Sequence, residues 1–174
     1  MNKLRRFVNI ASLVVLTSTG MTTLAYADHR EFQARLSGEQ QVSEEDTTGR
    51  GRADVTFNAA YRYVIVDLRI NDLVGTFTGA HFHCARPGEN GPVAFGLVVP
   101  GPLSFDGERI RGKLRNADYT GADCVAATGV TINNIASLAL AMKEGLIYLN
   151  VHTNTAPGGE IRGQLVAKHD DDSP

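Results

Sequence analysis

The chain has 174 residues, with 17 Lys and Arg, 19 Asp and Glu and a formal charge of −2. That length suits one domain with its own core. The first 27 residues hold three bases and no acid, so the remainder carries 14 bases and 19 acids, a charge of −5. This balance argues against nucleic acid and against an anionic membrane surface as partners.

Residues 1–27 are set apart from the fold. Met1-Asn2-Lys3-Leu4-Arg5-Arg6 is basic, the stretch from Phe7 to about Leu16 is apolar, and Ala25-Tyr26-Ala27 is a small-x-small cleavage site. Together they read as a secretory signal peptide. The apolar run is short and broken by Ser and Thr, unlike a membrane anchor. No Cys stands at the cleavage point to take a lipid. The mature chain is expected to begin near Asp28, in the periplasm or outside the cell, and no later stretch is apolar and long enough to cross a bilayer.

Beyond the leader, 18 Gly in the whole chain and the absence of Trp suit a β-rich domain with many tight turns. Residues 31–36 alternate, with Phe32, Ala34 and Leu36 on one face. Residues 39–52 form a polar loop with the acid cluster Glu44-Glu45-Asp46. Ala53, Val55 and Phe57 alternate again. A strong strand runs from 61 to 70, with either Tyr63 and Ile65 or Val64 and Val66 facing inward beside Leu68 and Ile70. Asn71-Asp72 and Gly75 turn the chain into a strand from 76 to 84. After the turn-rich loop 85–92, residues 93–99 are continuously apolar, as in a central strand, and Pro100-Gly101-Pro102 breaks them. Residues 110–114 form another strand, followed by a long loop from 116 to 129. One short helix stands out, capped by Asn134, with Ile135, Leu138 and Met142 on one face and Gly145 as its left-handed end. Strands from 146 to 152 and from 160 to 166 close the domain, and residues 168–174 are a charged tail expected to fray. The expected fold is an all-β, antiparallel Greek-key β-sandwich or flattened barrel with one short helix.

The chemistry concentrates in Ala80-His81-Phe82-His83-Cys84. Side chains at i and i+2 of a strand leave the same face, so His81 and His83 point together and away from Phe82. In the strand from 147 to 152, Ile147, Leu149 and Val151 face the core, and Tyr148, Asn150 and His152 face out. If the two strands are neighbours, three imidazoles meet on one outer surface. Imidazole suits copper and zinc, and such a trio makes an open three- or four-coordinate site. The alternative is that these histidines hydrogen-bond loop carbonyls and pin the Pro-Gly loops at 87–88 and 157–158. Tyr148 and Asn150 either surround the ligands or belong to a polar sheet surface. Glu160 either pairs with Arg162 across strands or orients a ligand histidine. Two cysteines in an exported domain, Cys84 and Cys124, most simply pair. Two buried thiols, or Cys84 as a metal ligand, are the other options. His29 and His169 are discounted as ligands. No Gly-x-Ser-x-Gly elbow and no phosphate loop are present, which argues against a hydrolase or nucleotide enzyme.

Several motifs carry a resemblance. Phe32-Gln33-Ala34-Arg35-Leu36-Ser37-Gly38, then Ala80-His81-Phe82-His83 with Gly91-Pro92-Val93, then Gly145 through Thr153, and finally Pro157-Gly158-Gly159-Glu160-Ile161-Arg162-Gly163-Gln164-Leu165, together resemble the CHRD domain, named after chordin. The likeness spans residues 32–166 and implies a secreted all-β domain at 28–167. It implies no general activity. Chordin's growth-factor binding does not carry over, since its von Willebrand type C modules have no counterpart here. A weaker likeness is to copper–zinc superoxide dismutase, a Greek-key barrel with a disulfide, a His-x-His strand and a later strand-borne histidine on copper. His81, His83 and His152 match that order, but no bridging histidine, zinc set or catalytic arginine is found. The likeness therefore implies a copper site and not dismutase activity. The lead expectation is an exported protein that binds copper, or zinc, for storage, delivery or tolerance. The rivals are a redox copper enzyme and a structural or adhesive module without metal.

Overall fold

The computed structural model describes residues 30–119 and 121–168; the leader, His29 and His169 lie outside them. The strands are β1 (Glu31–Ser37), β2 (Arg50–Phe57), β3 (Tyr63–Asn71), β4 (Phe77–Cys84), β5 (Val93–Val98), β6 (Arg109–Arg115), β7 (Ile147–Thr153), β8 (Ile161–Gln164) and β9 (Val166–Ala167). Helices α1 (Val125–Thr128) and α2 (Ile135–Lys143) lie between β6 and β7. All strand pairs are antiparallel. The strands join in one continuous sheet of order β5-β4-β7-β8-β1-β2-β3-β6, with β9 beside β1, curled into a half-barrel. The all-β expectation holds, with a second, four-residue helix in the loop before α2.

Period-two alternation sets the core. Phe32, Ala34 and Leu36 of β1, Ala53, Val55 and Phe57 of β2, and Val64, Val66, Leu68 and Ile70 of β3 all turn inward. Of the two registers open for β3, Val64 and Val66 face the core, and Ile65 is exposed. Ile110 and Leu114 of β6 complete this half. Helix α2 closes the concave side with Ile135, Leu138 and Met142, and begins on Asn134, whose side chain accepts from the Ser137 amide at 2.9 Å. Gly145 follows the helix in the left-handed region at φ 68°. Burying some thirty apolar side chains in one cluster is the main driving force.

One expectation is corrected, and the cysteine pairing is as expected. Strand β5 is not central: it ends the sheet. It is apolar throughout because the chain covers it, with Leu103 donating its amide to the Leu97 carbonyl and Ala122 donating to Val93. An edge covered in this way offers no free ladder for another chain. The disulfide Cys84–Cys124 is formed. It ties the end of β4 to the start of α1 and leaves neither cysteine free for a metal.

Candidate metal centre

Strand β4 lies between β5 and β7, with His81 opposite Asn150, His83 opposite Tyr148 and Gly79 opposite His152. The two histidine strands are therefore neighbours, and their imidazoles share the face turned away from Phe82, Leu149 and Val151, which are buried in the core. Ring centroids are 5.7 Å apart for His81 and His83, 4.8 Å for His81 and His152, and 5.7 Å for His83 and His152. Each residue offers one nitrogen, and the three nitrogens lie within 4.8 Å of one another.

Each imidazole is oriented by a backbone carbonyl from a different loop. His81 Nε2 bonds the Val99 carbonyl at 3.0 Å, His83 Nδ1 bonds Gly91 at 2.9 Å, and His152 Nδ1 bonds Pro157 at 2.9 Å. A carbonyl only accepts, so each of these nitrogens carries the proton. In a neutral ring the other nitrogen is then a bare lone pair. Those other nitrogens, His81 Nδ1, His83 Nε2 and His152 Nε2, are buried and have no hydrogen-bond partner. The carbonyls thus set the tautomers that a metal needs.

Electrostatics act in the same direction. Burial, helped by the charges of the other two imidazoles and Arg162 and opposed by the Gly91 carbonyl, lowers the pKa of His83 to about 4. Burial likewise lowers His81 and His152. At neutral pH all three rings are uncharged and able to ligate.

This face is not the open surface expected from the alternation of β7. Tyr148 is only 2% exposed and Asn150 3%. Loops roof them. Gln41 Nε2 donates to Asn150 Oδ1 at 2.8 Å, and Asn150 Nδ2 donates to the Gly158 carbonyl at 3.0 Å. The Gly91 amide donates to the Tyr148 hydroxyl at 3.2 Å. The roof depends on glycine. A Cβ on Gly91 would lie 1.9 Å from the Cys84 carbonyl oxygen, and one on Gly159, at φ 126°, would lie 2.3 Å from the Asn150 amide.

Tyr148 packs its ring on His83, whereas Asn150 spends its amide on the loops. Glu160 touches no imidazole and does not pair with Arg162. Its carboxylate accepts from Thr47 Oγ1 and the Val74 amide, each at 2.7 Å, from Gly75 at 3.0 Å and from Thr153 Oγ1 at 2.8 Å. Burial pushes its pKa up, but these donors outweigh that, and the net shift is downward. Arg162, 2% exposed, lays its guanidinium 3.6 Å from the centroid of the Tyr148 ring and donates to the Glu89 carbonyl at 2.8 Å and to Asn90 at 3.2 Å. Sequence reasoning missed this role. The similar segment Ile110-Arg111-Gly112 has its arginine side chain 65% exposed, so the motif alone does not reveal burial.

A donor set of three neutral imidazole nitrogens fits copper and zinc alike and leaves a position open for a further ligand. The model of the CHRD domain family matches residues 32–165. No curated protein and no solved structure matches the chain closely enough to add to this.

Proposed function

The chain belongs to the CHRD domain family, and on that footing we propose that it is an exported binding protein that holds a copper ion, or less readily zinc, at His81, His83 and His152. Its role in this reading is metal storage, delivery or tolerance. One observation carries the proposal: three buried imidazole nitrogens within 4.8 Å of one another have no partner in the protein. An unpaired buried acceptor costs about 1–3 kcal/mol. A purely structural role for the histidines accounts for their bonds to Val99, Gly91 and Pro157. It does not account for three lone pairs directed at one another. A bound cation would satisfy all three together.

Metal content and titration of the purified protein test this. Copper(II) and zinc(II) should each bind with a stoichiometry of one, with copper tighter, as the nitrogen-donor affinity order dictates. His83→Ala should abolish the copper spectrum and His169→Ala should preserve it. Equal spectra from the two variants would end the proposal.

The open coordination position also supports a second reading, a redox copper enzyme. Superoxide turnover by the copper-loaded protein at a rate no better than free buffer would remove it.

A further inference from the structure

On the outer face of the half-barrel, across strands β1, β2, β3 and β6 and separated from the histidine strands by β8, four arginines stand side by side. Arg35 lies opposite Arg52, Arg52 opposite Arg69, and Arg69 opposite Arg109. Their neighbours along each strand, Ala34, Ala53, Leu68 and Ile110, face the core, so all four guanidinium groups leave by the same side. Like charges directly opposite each other destabilise a sheet. The next row supplies only partial relief. Arg109 clasps Asp67 through two hydrogen bonds, Arg111 approaches Asp67 at 3.8 Å, and Arg52 approaches Asp54 at 3.8 Å. Among the described residues, no ion pair forms at Arg35 or Arg69. Strand β6 adds Lys113 and Arg115 to the same face. With Arg50 of β2, which pairs with Glu39 at 3.8 Å, eight of the 14 bases beyond the leader thus share one face of these strands with three strand carboxylates, Glu31, Asp54 and Asp67. The overall negative charge conceals this face entirely.

We propose that this face docks a linear acidic polysaccharide with a carboxylate on each sugar. The row repeats at the spacing of neighbouring strands, about 4.8 Å, which is comparable to the repeat of one sugar along such a chain. Each guanidinium presents a planar fork that matches a carboxylate. Single-stranded nucleic acid needs aromatic platforms for its bases. Here the face offers Tyr63, whose ring lies 4.3 Å beneath the Lys113 ammonium. A membrane surface needs an apolar wedge, and the exposed large apolar side chains on this side are Ile65 of β3, at 38%, and Val166 of β9, at 53%, which β1 and β2 keep apart. The docking is independent of the metal.

Polygalacturonate is the probe, titrated into the full chain by calorimetry at low and at physiological salt. We expect saturable binding that weakens steeply as salt rises. The double variant Arg35→Gln with Arg69→Gln removes the two unpaired guanidinium groups and should lower affinity about tenfold or more. Arg86→Gln, an exposed loop base elsewhere, should leave it unchanged. Circular dichroism and thermal melts check that every variant is folded. The proposal is overturned by absence of binding, by equal loss in Arg86→Gln, or by tighter binding of single-stranded DNA or anionic vesicles. It is equally overturned if the double variant abolishes self-association of the chain instead.

Discussion

The rings of His83 and Tyr148 are stacked, with centroids 5.0 Å apart and planes 17° from parallel. They face each other across β4 and β7, and the Gly91 carbonyl that accepts from His83 sits beside the Tyr148 hydroxyl. The Arg162 guanidinium lies on the same tyrosine ring from β8. Tyr148 therefore fixes the plane of one of the three candidate ligand rings and the loop that sets its tautomer. Tyr148→Phe should keep the stack and lose only the hydroxyl's contacts, lowering stability by about 1 kcal/mol with a small loss of copper affinity. Tyr148→Ala should cost about 3–5 kcal/mol and weaken copper binding far more. Urea denaturation and metal titration of both variants decide this, and equal affinities would show that the stack has no part in ligation.

Copper should stabilise the fold by mass action, because the three nitrogens converge only in the native state. At a free concentration one hundred times Kd the gain is about 2.7 kcal/mol. Thermal melts with and without copper should show an upward shift in the parent protein that disappears in His81→Ala, His83→Ala and His152→Ala. A shift that survives in these variants would place the ion elsewhere.

The metal-free protein should lose stability as pH falls through the histidine range. His83 titrates near 6.5 when unfolded and at about 4 when folded. Between these values the unfolded chain binds more protons, so stability drops as pH goes from 6.5 toward 4 and, for this group, levels off below. His81 and His152 shift in the same direction. Denaturation midpoints at pH 7, 5.5 and 4.5 should fall in order, and His83→Gln should flatten the dependence.

Glu160 holds the loops at 47 and 74–75 to Thr153 through four donors. Glu160→Gln places an amide N–H group against N–H and O–H donors and removes the negative charge that balances them. We expect a loss of about 2–4 kcal/mol. The copper site should survive in the folded fraction, since no imidazole touches this carboxylate. A calorimetric melt together with copper titration separates the two effects.

Gly159→Ala should be among the most damaging small substitutions. The residue sits at φ 126°, and an added methyl meets the Asn150 amide. The strain adds about 1–3 kcal/mol to the cost of displacing an amide that joins two loops. The denaturant midpoint measures it against Gly158→Ala, where an added Cβ meets nothing within 4 Å.

Period-two alternation and the spacing of two histidines two residues apart already determined much of this molecule: the strands, the helix with its Asn134 cap, the inward-facing residues of β1 and β2, and the shared face of His81 and His83. These are local properties, fixed by backbone geometry along a few consecutive residues. The pairing of β4 with β7, the covered edge at β5, the burial of Tyr148, Asn150 and Arg162, the carbonyls that set each histidine's tautomer, and the row of four arginines were decided only by the tertiary structure. Each joins segments separated in sequence, and nothing local distinguishes exposed Arg111 from buried Arg162. What separates them is which loop folds over which strand, a choice made by the whole core at once.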